Sequence, residues 1–464
     1  MTGPEVEPTR SRPPSWRREA LRTNLWLVPA ALVGVVVLLF LVTYNLDQAA
    51  ARHRFGLPWW LTAGTASAGQ ATLTAIAAAV ITVVGVVFSI TILALTLASQ
   101  QFGPRMLRNF IRDVGNQLTL GVFVATFVYA VLALGAIKSG PGGEFVPNIS
   151  ITVSLLLSFV DIVVLIYFID HIAKTIQLPE VIAGIARDLS KAIDDEFPTV
   201  ARVTGTADAG GMPAELADLH GSLDSAGVTV PAPVSGYLQY VGYGKLVAIA
   251  ETEQAVIRLA HRPGHFVVAG RPLATVWPPE RAPRVGAALA KAHITGPHRT
   301  LMQDPVFAID QLAEIAIRAL SSAVNDTFTA LTCIDWIADG LCKISGRELS
   351  EGIYRDRGGE IRLIEFDPSY ERMVNRGFDK IRQAARGMPA VLIRMMTGLG
   401  HVTEYTVSRS QRTVLARQAD MVMRACDETV PDEEDRRDVR TRYDALQSVR
   451  EQLDAGAMAP RLRP

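Results

Sequence analysis

One uncharged stretch decides the fold: Ile81-Thr-Val-Val-Gly-Val-Val-Phe-Ser-Ile-Thr-Ile-Leu-Ala-Leu-Thr-Leu-Ala98. It lies within residues 71–104, and neither this segment nor residues 23–46 and 114–137 contain a charged side chain. Each of the three exceeds the ~20 residues that an α-helix needs to cross a hydrocarbon layer of ~30 Å. A fourth stretch, residues 145–169, is apolar apart from Asp161. The sequence therefore predicts four transmembrane helices.

Basic residues beside these helices predict their orientation, because Lys and Arg in short flanks resist translocation. The first and third loops between the helices carry few basic residues, namely Arg52 and Arg54 in the first and Lys138 in the third. The other flanks carry eleven basic residues: Arg10, Arg12, Arg17, Arg18, Arg22, Arg105, Arg108, Arg112, Lys174, Arg187 and Lys191. We therefore expect a multi-pass protein of the cytoplasmic membrane with both termini in the cytoplasm.

The overall composition excludes little but favours a membrane over a nucleic acid as partner. The chain has 46 Lys plus Arg and 46 Asp plus Glu, so its formal net charge is zero. A basic field that would attract nucleic acid is therefore not expected. Only 20% of the residues are charged, and the mean hydropathy is positive, at +0.22. No spaced cysteine set, phosphate loop or metalloprotease motif is present, so no cofactor or metal site is predicted.

Changes in composition and hydrophobic periodicity divide the chain into five predicted segments. Short β-type runs such as Leu246-Val-Ala-Ile-Ala250, separated by Gly and Pro, predict a small all-β module whose paired turns resemble those of biotinyl/lipoyl-type barrel-sandwich domains. Its one lysine, Lys245, has no flanking methionine, so a covalent carrier role is not expected. The predicted segments are a cytoplasmic tail (1–22), a four-helix transmembrane domain (23–176), an amphipathic connector helix and linker (177–227), the β module (228–280) and a mostly helical cytoplasmic domain (281–464).

The last segment returns to helical periodicity. Its final part predicts three helices, over about 368–386, 389–427 and 432–455. Wide spacing and a reducing compartment predict that Cys333, Cys342 and Cys426 are buried free thiols. A basic run is interpreted as a solvated surface, because no glycine-rich phosphate loop accompanies it; it comprises Arg281, Arg284, Lys291, His293, His298 and Arg299.

Longer stretches resemble one known family. The segment from Ile81 to Phe110 is similar to the signature of a bacterial family of predicted membrane proteins, the domain of unknown function numbered twenty-two fifty-four. The similarity continues in Leu165-Ile-Tyr-Phe-Ile-Asp-His-Ile-Ala173, Asp304-Pro-Val-Phe-Ala-Ile-Asp-Gln-Leu312 and Val324-Asn-Asp-Thr-Phe-Thr-Ala330. The resemblance implies four membrane spans and a cytoplasmic domain. It brings no activity and no catalytic residue.

Two features of the spans are candidates for a polar path. Thr82, Ser89 and Thr96 lie on a stripe of small or hydroxyl-bearing residues along the second span. Such a stripe suits close helix packing, but several copies could also line an aqueous path in an oligomer. Asp161 lies near the middle of the fourth span, where an acid costs ~2.5–3.5 kcal/mol even on lenient scales. It must face protein or water, as a hydrogen-bonded structural acid or as an ion or proton site.

Charged residues at the cytoplasmic ends of the spans form a second candidate group. Asp170 and His171 lie at the predicted mouth, where interfacial charges commonly act as anchors. Arg105, Arg108 and Arg112 share a helix face and could bind anionic lipid headgroups, although ordinary topology determinants have the same pattern.

These observations favour an oligomeric channel or transport-like protein whose cytoplasmic region gates or senses. The alternatives are a membrane scaffold or sensor without a permeation path and a membrane-bound enzyme acting on lipid. An enzyme is disfavoured because no catalytic motif is present. The expected partners are the lipid bilayer and further copies of the same chain, while a small ligand or ion is not specified by the sequence.

Overall fold

The computed structural model describes residues 26–52, 65–102, 113–138, 144–197, 214–347, 352–366 and 370–461. The chain forms two compact units, of which one comprises Ser11–Glu180 and the other contains Val181–Pro464.

The first unit consists of apolar helices. Within its described residues, four are long and apolar enough to cross a membrane, which confirms the predicted four-helix region. Because side-chain bulk decides how closely helices approach, the third of these helices, α3 (Val114–Ala136), places small residues at its contacts. A Cβ atom added at Gly121 would lie 2.6 Å from Leu32 Cδ1. The helices are α1 (Leu27–Ala51), α2 (Ala66–Phe102), α3 (Val114–Ala136) and α4 (Asn148–Thr175), and α3 packs against the other three.

Large apolar side chains cover the outside of this unit. Phe88 on α2 is 55% exposed, and Phe159 and Ile166 on α4 are 66% and 65% exposed. A soluble protein rarely leaves so much contiguous apolar surface uncovered. Backbone groups are bonded within the helices, as a hydrocarbon solvent requires. The unit is therefore built to face lipid.

The second unit begins within helix α5 (Leu178–Glu196), an amphipathic helix that lies in the segment predicted as a connector. Its apolar face is buried, with Ile182, Ile185 and Ile193 each at most 1% exposed. Helix α6 (Ala214–Ala226) follows inside residues 204–227, which the glycine-rich sequence had indicated as a linker. That interpretation was wrong for the second half of the linker.

Two sheets follow, and the predicted barrel-sandwich is not confirmed. Among the described strands, β3 (Val256–Leu259) and β8 (Ile361–Ile364) pair in parallel, and the other pairs are antiparallel. The segment Leu246–Ala250, predicted as a strand, lies inside helix α7 (Tyr243–Thr252). The strands are β1 (Val228–Pro231), β2 (Gly236–Val241), β3 (Val256–Leu259), β4 (Phe266–Val267), β5 (Pro272–Trp277), β6 (His293–Gly296), β7 (Ile353–Arg355) and β8 (Ile361–Ile364). One sheet has the order β1-β5-β3-β8-β7 and the other β4-β2-β6, and neither closes into a barrel.

Among the remaining helices, α8 (Ala282–Leu289) packs against β1 and β5, and those after it pack as a bundle. The predicted helix over 389–427 is in fact two helices, because Ser408 begins a new one with a capping box to Gln411. The helices are α8 (Ala282–Leu289), α9 (Val306–Ala319), α10 (Thr327–Ser345), α11 (Tyr370–Ala384), α12 (Pro389–Glu404), α13 (Arg409–Thr429) and α14 (Glu433–Asp454). Cys333, Cys342 and Cys426 are buried and free, as predicted.

Helix α5 is anchored to α10 by charge and by close packing. Lys343 Nζ lies 2.6 Å from Asp194 Oδ2 and donates to Ser190 Oγ at 2.7 Å. Arg347 also contacts Asp194 and donates to the Ile193 carbonyl at 2.9 Å. These contacts lower the pKa of Asp194 against the opposing effect of its partial burial. The connector helix is therefore an integral part of the second unit.

Candidate functional site

Asp161 is buried inside the four-helix unit. It is 5% exposed, and Thr126 Oγ1 on α3 donates a hydrogen bond to Asp161 Oδ1 at 3.1 Å. The second carboxyl oxygen, Oδ2, is buried and has no hydrogen-bond partner among the described residues. The contact between α3 and α4 therefore holds an acid whose hydrogen-bonding capacity is only partly used.

Further buried polar side chains lie along α3 and α4. Thr119 lies two helical turns before Thr126 on one face of α3, and Ser154 lies two turns before Asp161 on one face of α4. Asn116 is buried at the start of α3. Within the described residues, its amide atoms and the hydroxyls of Thr119 and Ser154 have no hydrogen-bond partner. Because an unpaired buried polar group costs ~1–3 kcal/mol, such a row is suited to bind water or a small cation.

A second polar cluster lies at the beginning of α4. Asp47 of α1 accepts hydrogen bonds from the backbone N–H groups of Ile149 and Ser150 at 2.8 and 3.0 Å, and from Ser150 Oγ at 2.7 Å. Thr43 Oγ1 lies 2.8 Å from Tyr129 Oη and accepts from Ser150 Oγ at 3.2 Å. A carboxylate at this position caps the helix and complements the positive end of its dipole. Asp47 therefore fixes the start of α4 against α1.

Asp47 was not predicted as a buried residue, because it stands one residue beyond the uncharged segment 23–46. The sequence nevertheless contains a signal for the burial of Asp47. Val36, Phe40, Thr43 and Asp47 recur at helical spacing, and all four are at most 9% exposed. The stripe therefore continues past the last apolar residue, which indicates that the acid belongs to the buried face of the helix.

The predicted mouth residues have different surroundings at the other end of α4. Asp170 is exposed and forms an ion pair with Lys174 at 2.7 Å. His171 Nε2 contacts the carboxylate of Asp113, which also caps α3 by accepting from the Gly115 N–H at 3.1 Å. A Cβ atom on Gly115 would lie 2.7 Å from His171 Nε2, so this approach of α3 and α4 requires glycine. Arg105, Arg108 and Arg112 lie outside the described residues.

The predicted stripe on α2 does not meet Asp161 within one chain. Thr82, Ser89 and Thr96 are exposed, whereas Asp161 is buried between α3 and α4. Each of the three hydroxyls donates to the carbonyl four residues earlier on its own helix, at 2.8, 2.8 and 2.9 Å. The structure therefore divides the candidate path residues between the surface and the interior of the four-helix unit.

Asp161 lies about midway along α4. At a rise of ~1.5 Å per residue, it is about 17 Å from Ser150 and about 15 Å from His171 along the helix axis. Polar groups thus occur at both ends and at the middle of this helix. Among the described residues, no group of three or more His, Cys, Asp or Glu side chains is arranged to hold a metal ion.

Comparison with known proteins identifies the family but no activity. Residues 22–401 match the model of a family described as "Predicted membrane protein (DUF2254)". The chain is 33% identical over 380 residues to the uncharacterized proteins Mb1321c of Mycobacterium bovis and Rv1290c of Mycobacterium tuberculosis, covering 80% of this chain and 71% of each relative. No solved structure matches the chain. The chain therefore belongs to the DUF2254 family of predicted membrane proteins.

Proposed function

We propose that this protein moves protons or a small cation across the bacterial membrane, along the contact between α3 and α4. Asp161 is the central binding group of this path. The observation that carries the proposal is its carboxylate, which is 5% exposed, has one hydrogen bond and leaves Oδ2 unpaired. Intramembrane acids are expensive and commonly mark ion or proton pathways. In this proposal both termini are cytoplasmic, and the unit that contains Val181–Pro464 gates or senses.

Bulky apolar side chains beside the proposed path favour a gated path over an open one. Phe123 of α3 and Phe168 of α4 are at most 1% exposed and pack in one apolar cluster. Phe168 shares the face of α4 with Asp161, two turns further along. Bulky apolar side chains beside a polar row favour stepwise passage over a permanently open pore, because hydrophobic constrictions exclude water. A transporter or a gated channel fits this arrangement better than a wide pore.

Asp161→Asn tests the proposal directly. We expect at least a tenfold loss of proton or alkali-cation flux into proteoliposomes, because the amide has no charge with which to balance a passing cation. Flux is measured with an internal pH dye under an imposed gradient and with K⁺- and Na⁺-sensitive dyes. Gel filtration and the thermal unfolding midpoint establish that the variant is folded.

Asp218→Asn is the matched control, since it makes the same acid-to-amide change at an exposed position on α6. Its flux should equal that of the wild type. Equal flux in Asp161→Asn and wild type, with both folded, would refute an ion path through Asp161. A wild type without any flux would favour the scaffold or sensor function instead.

A second arrangement, a homo-oligomer joined through α2, is favoured by the exposed stripe. A Cβ atom at Gly85 would meet no other heavy atom within 4 Å, and the neighbouring Thr82 and Ser89 are exposed. Small residues on a lipid-facing surface allow close approach of a second helix. Copies of α2 would then line a shared axis, as in an oligomeric channel.

We expect Ser89→Cys to form a disulfide-linked dimer in membranes on mild oxidation, in a chain whose three native cysteines are changed to alanine. Val87→Cys is the control on the same helix, because Val87 is 2% exposed and faces the interior of the unit. Non-reducing electrophoresis reports the product. A monomer in both variants, or equal cross-linking in both, would contradict contact through this stripe.

A further inference from the structure

A histidine and an aspartate meet at the end of α4 that lies opposite to the Asp47 contact. His171 Nε2 contacts the Asp113 carboxylate, and the two side chains are 26% and 19% exposed. The His171 ring stacks on the ring of Tyr167, one turn earlier on the same helix, with centroids 5.4 Å apart and an angle of 15° between the planes. The imidazole is therefore held in one orientation and stays partly accessible from outside the helix contact.

Asp113 is fixed in turn by α3. Its Oδ1 accepts from the Gly115 N–H at 3.1 Å and so caps the helix, while its Oδ2 faces His171 Nε2. A carboxylate that accepts from Nε2–H selects this tautomer and leaves Nδ1 as the basic nitrogen of the ring. His171 Nδ1 has no hydrogen bond with any of the described residues. This nitrogen can therefore take up a proton, and the carboxylate balances the positive charge that results.

The histidine and aspartate stand at one end of the buried polar row on α3. Asn116, Thr119 and Thr126 follow one another at steps of three and seven residues, which places them on one face of the helix. Asn116 lies three residues after Asp113, and Thr126 donates to Asp161. Because buried polar groups without a protein partner commonly bind water, Asn116 and Thr119 are suited to hold water molecules. The row therefore runs from the His171 contact to Asp161.

The groups along this row favour a proton over an alkali cation. Histidine is the residue type whose charge ordinarily changes between pH 5 and 8, and chains of Asp, Glu and His carry protons in membrane proteins. An alkali cation must instead exchange its hydration shell for oxygen ligands. Phe123 lies between Thr119 and Thr126 on the same face of α3, and its side chain offers no oxygen to a cation. A proton moves along hydrogen bonds through water and needs no such set of ligands.

We propose that His171 and Asp113 load protons into the path through Asp161, and that this path conducts protons and excludes alkali cations. The proposal rests on the proposed function, since it names the ion that moves and the group at which the ion enters. His171 Nδ1 takes a proton from water outside the helix contact, and Asp113 balances the charge of the imidazolium. The imidazolium gives this proton to water held at Asn116 and Thr119 and returns to its neutral form. The proton then binds to the Asp161 carboxylate.

His171→Gln tests the proposal in proteoliposomes that contain the full chain. The glutamine amide still donates a hydrogen bond to Asp113 but does not take up a proton near neutral pH. With equal pH on both sides and a potential imposed by K⁺ and valinomycin, we expect a roughly fivefold or greater loss of proton flux. The pH at which the flux is half-saturated should also shift by about one pH unit, which the loss of a structural contact would not cause. An internal pH dye reports the flux, and the thermal unfolding midpoint shows whether the variant is folded.

Lys174→Gln is the matched control, because it also introduces glutamine near the end of α4, and the Lys174 side chain is 67% exposed. Its proton flux and half-saturation pH should equal those of the wild type. Asp113→Asn is a second test that does not depend on the folding of His171→Gln. Asparagine still caps α3 but does not balance an imidazolium, so the flux should fall several-fold and the half-saturation pH should move to lower values.

Flux of Na⁺ and K⁺, measured with ion-sensitive dyes in the absence of valinomycin, separates this proposal from the proposed function. A wild type that carries Na⁺ or K⁺ overturns the proton selectivity, although an ion path through Asp161 would stand. Entry at His171 is refuted if folded His171→Gln and Asp113→Asn match the wild type in flux and in half-saturation pH while Asp161→Asn does not conduct. A wild type that conducts none of the three ions overturns both proposals.

Discussion

Arg299→Met should lower the free energy of unfolding of the second unit by about 3–5 kcal/mol, since removing one partner of a buried ion pair leaves an uncompensated charge. Asp304 is 3% exposed and would lose both of its contacts with Arg299, at 2.6 and 2.8 Å. Asp310 would keep Arg376, so most of the loss arises at Asp304. Urea denaturation of the full chain in micelles, followed by near-ultraviolet circular dichroism, measures the effect.

The same variant should show a distinctive pH dependence. Burial already raises the pKa of Asp304 above its usual value, and loss of the neighbouring guanidinium raises it further. A carboxyl whose pKa is higher in the folded than in the unfolded state destabilises the fold once the pH exceeds its unfolded pKa. The deficit of Arg299→Met should therefore shrink as the pH falls from 8 to 5.

Arg386→Met is the control for this prediction. Arg386 and Glu428 form an ion pair at 3.2 Å whose side chains are 57% and 60% exposed. Exposed pairs contribute ~0–1 kcal/mol, so this variant should unfold almost as the wild type does. Equal losses in the two variants would show that burial does not determine the contribution of Arg299.

Asp47→Ala should destabilise the four-helix unit by about 2–4 kcal/mol. The change removes three hydrogen bonds and leaves the N–H groups of Ile149 and Ser150 without their acceptor. Unpaired buried groups of this kind cost ~1–3 kcal/mol each, and loss of a cap adds to the same effect. The thermal unfolding midpoint in micelles and resistance to added dodecyl sulfate measure the loss.

Asp47→Asn separates hydrogen bonding from charge. The amide oxygen of asparagine still accepts from the start of α4, but the charge that complements the helix dipole is lost. Its stability should lie between those of wild type and Asp47→Ala. If Asp47→Ala unfolds as the wild type does, the carboxylate does not fix α4 against α1.

The sequence predicts the four membrane helices well because hydrocarbon excludes charge over long stretches. Short helices and strands were harder to predict from the sequence. Leu246–Ala250 is an apolar run of five residues, a length at which periodicity does not distinguish strand from helix. The parallel pairing of Ile257 with Leu363 joins residues about a hundred positions apart, and no local pattern encodes it. Ser408 and Gln411, in contrast, carry a local capping signal, although a single helix was predicted over 389–427.

In the candidate sites, too, features encoded locally could be predicted from the sequence, whereas features that depend on tertiary contacts could not. Asp161 stood out because an acid within an apolar helix needs an explanation, whereas its partner Thr126 was one of several hydroxyls at similar depth. Arg299 was misjudged because neighbouring basic residues are commonly solvated, and its burial depends on Asp304 and Asp310 as acceptors. Arg262 and Arg372 both donate to His265 Nε2, and no local pattern predicts this, since 110 positions separate the two arginines.

The contact of Asp47 with the start of α4 also constrains the order of events during synthesis. Asp47 and Ser150 are 103 residues apart. At ~5–20 residues per second, roughly 5–20 s pass between the synthesis of Asp47 and the synthesis of Ser150, whose N–H group donates to it. During this interval the first helix holds an acid at the membrane boundary without its final partners. Insertion of the last helix then completes the assembly, so that a ribosome stalled before residue 150 would leave the Asp47 carboxylate without the N–H groups that it accepts from.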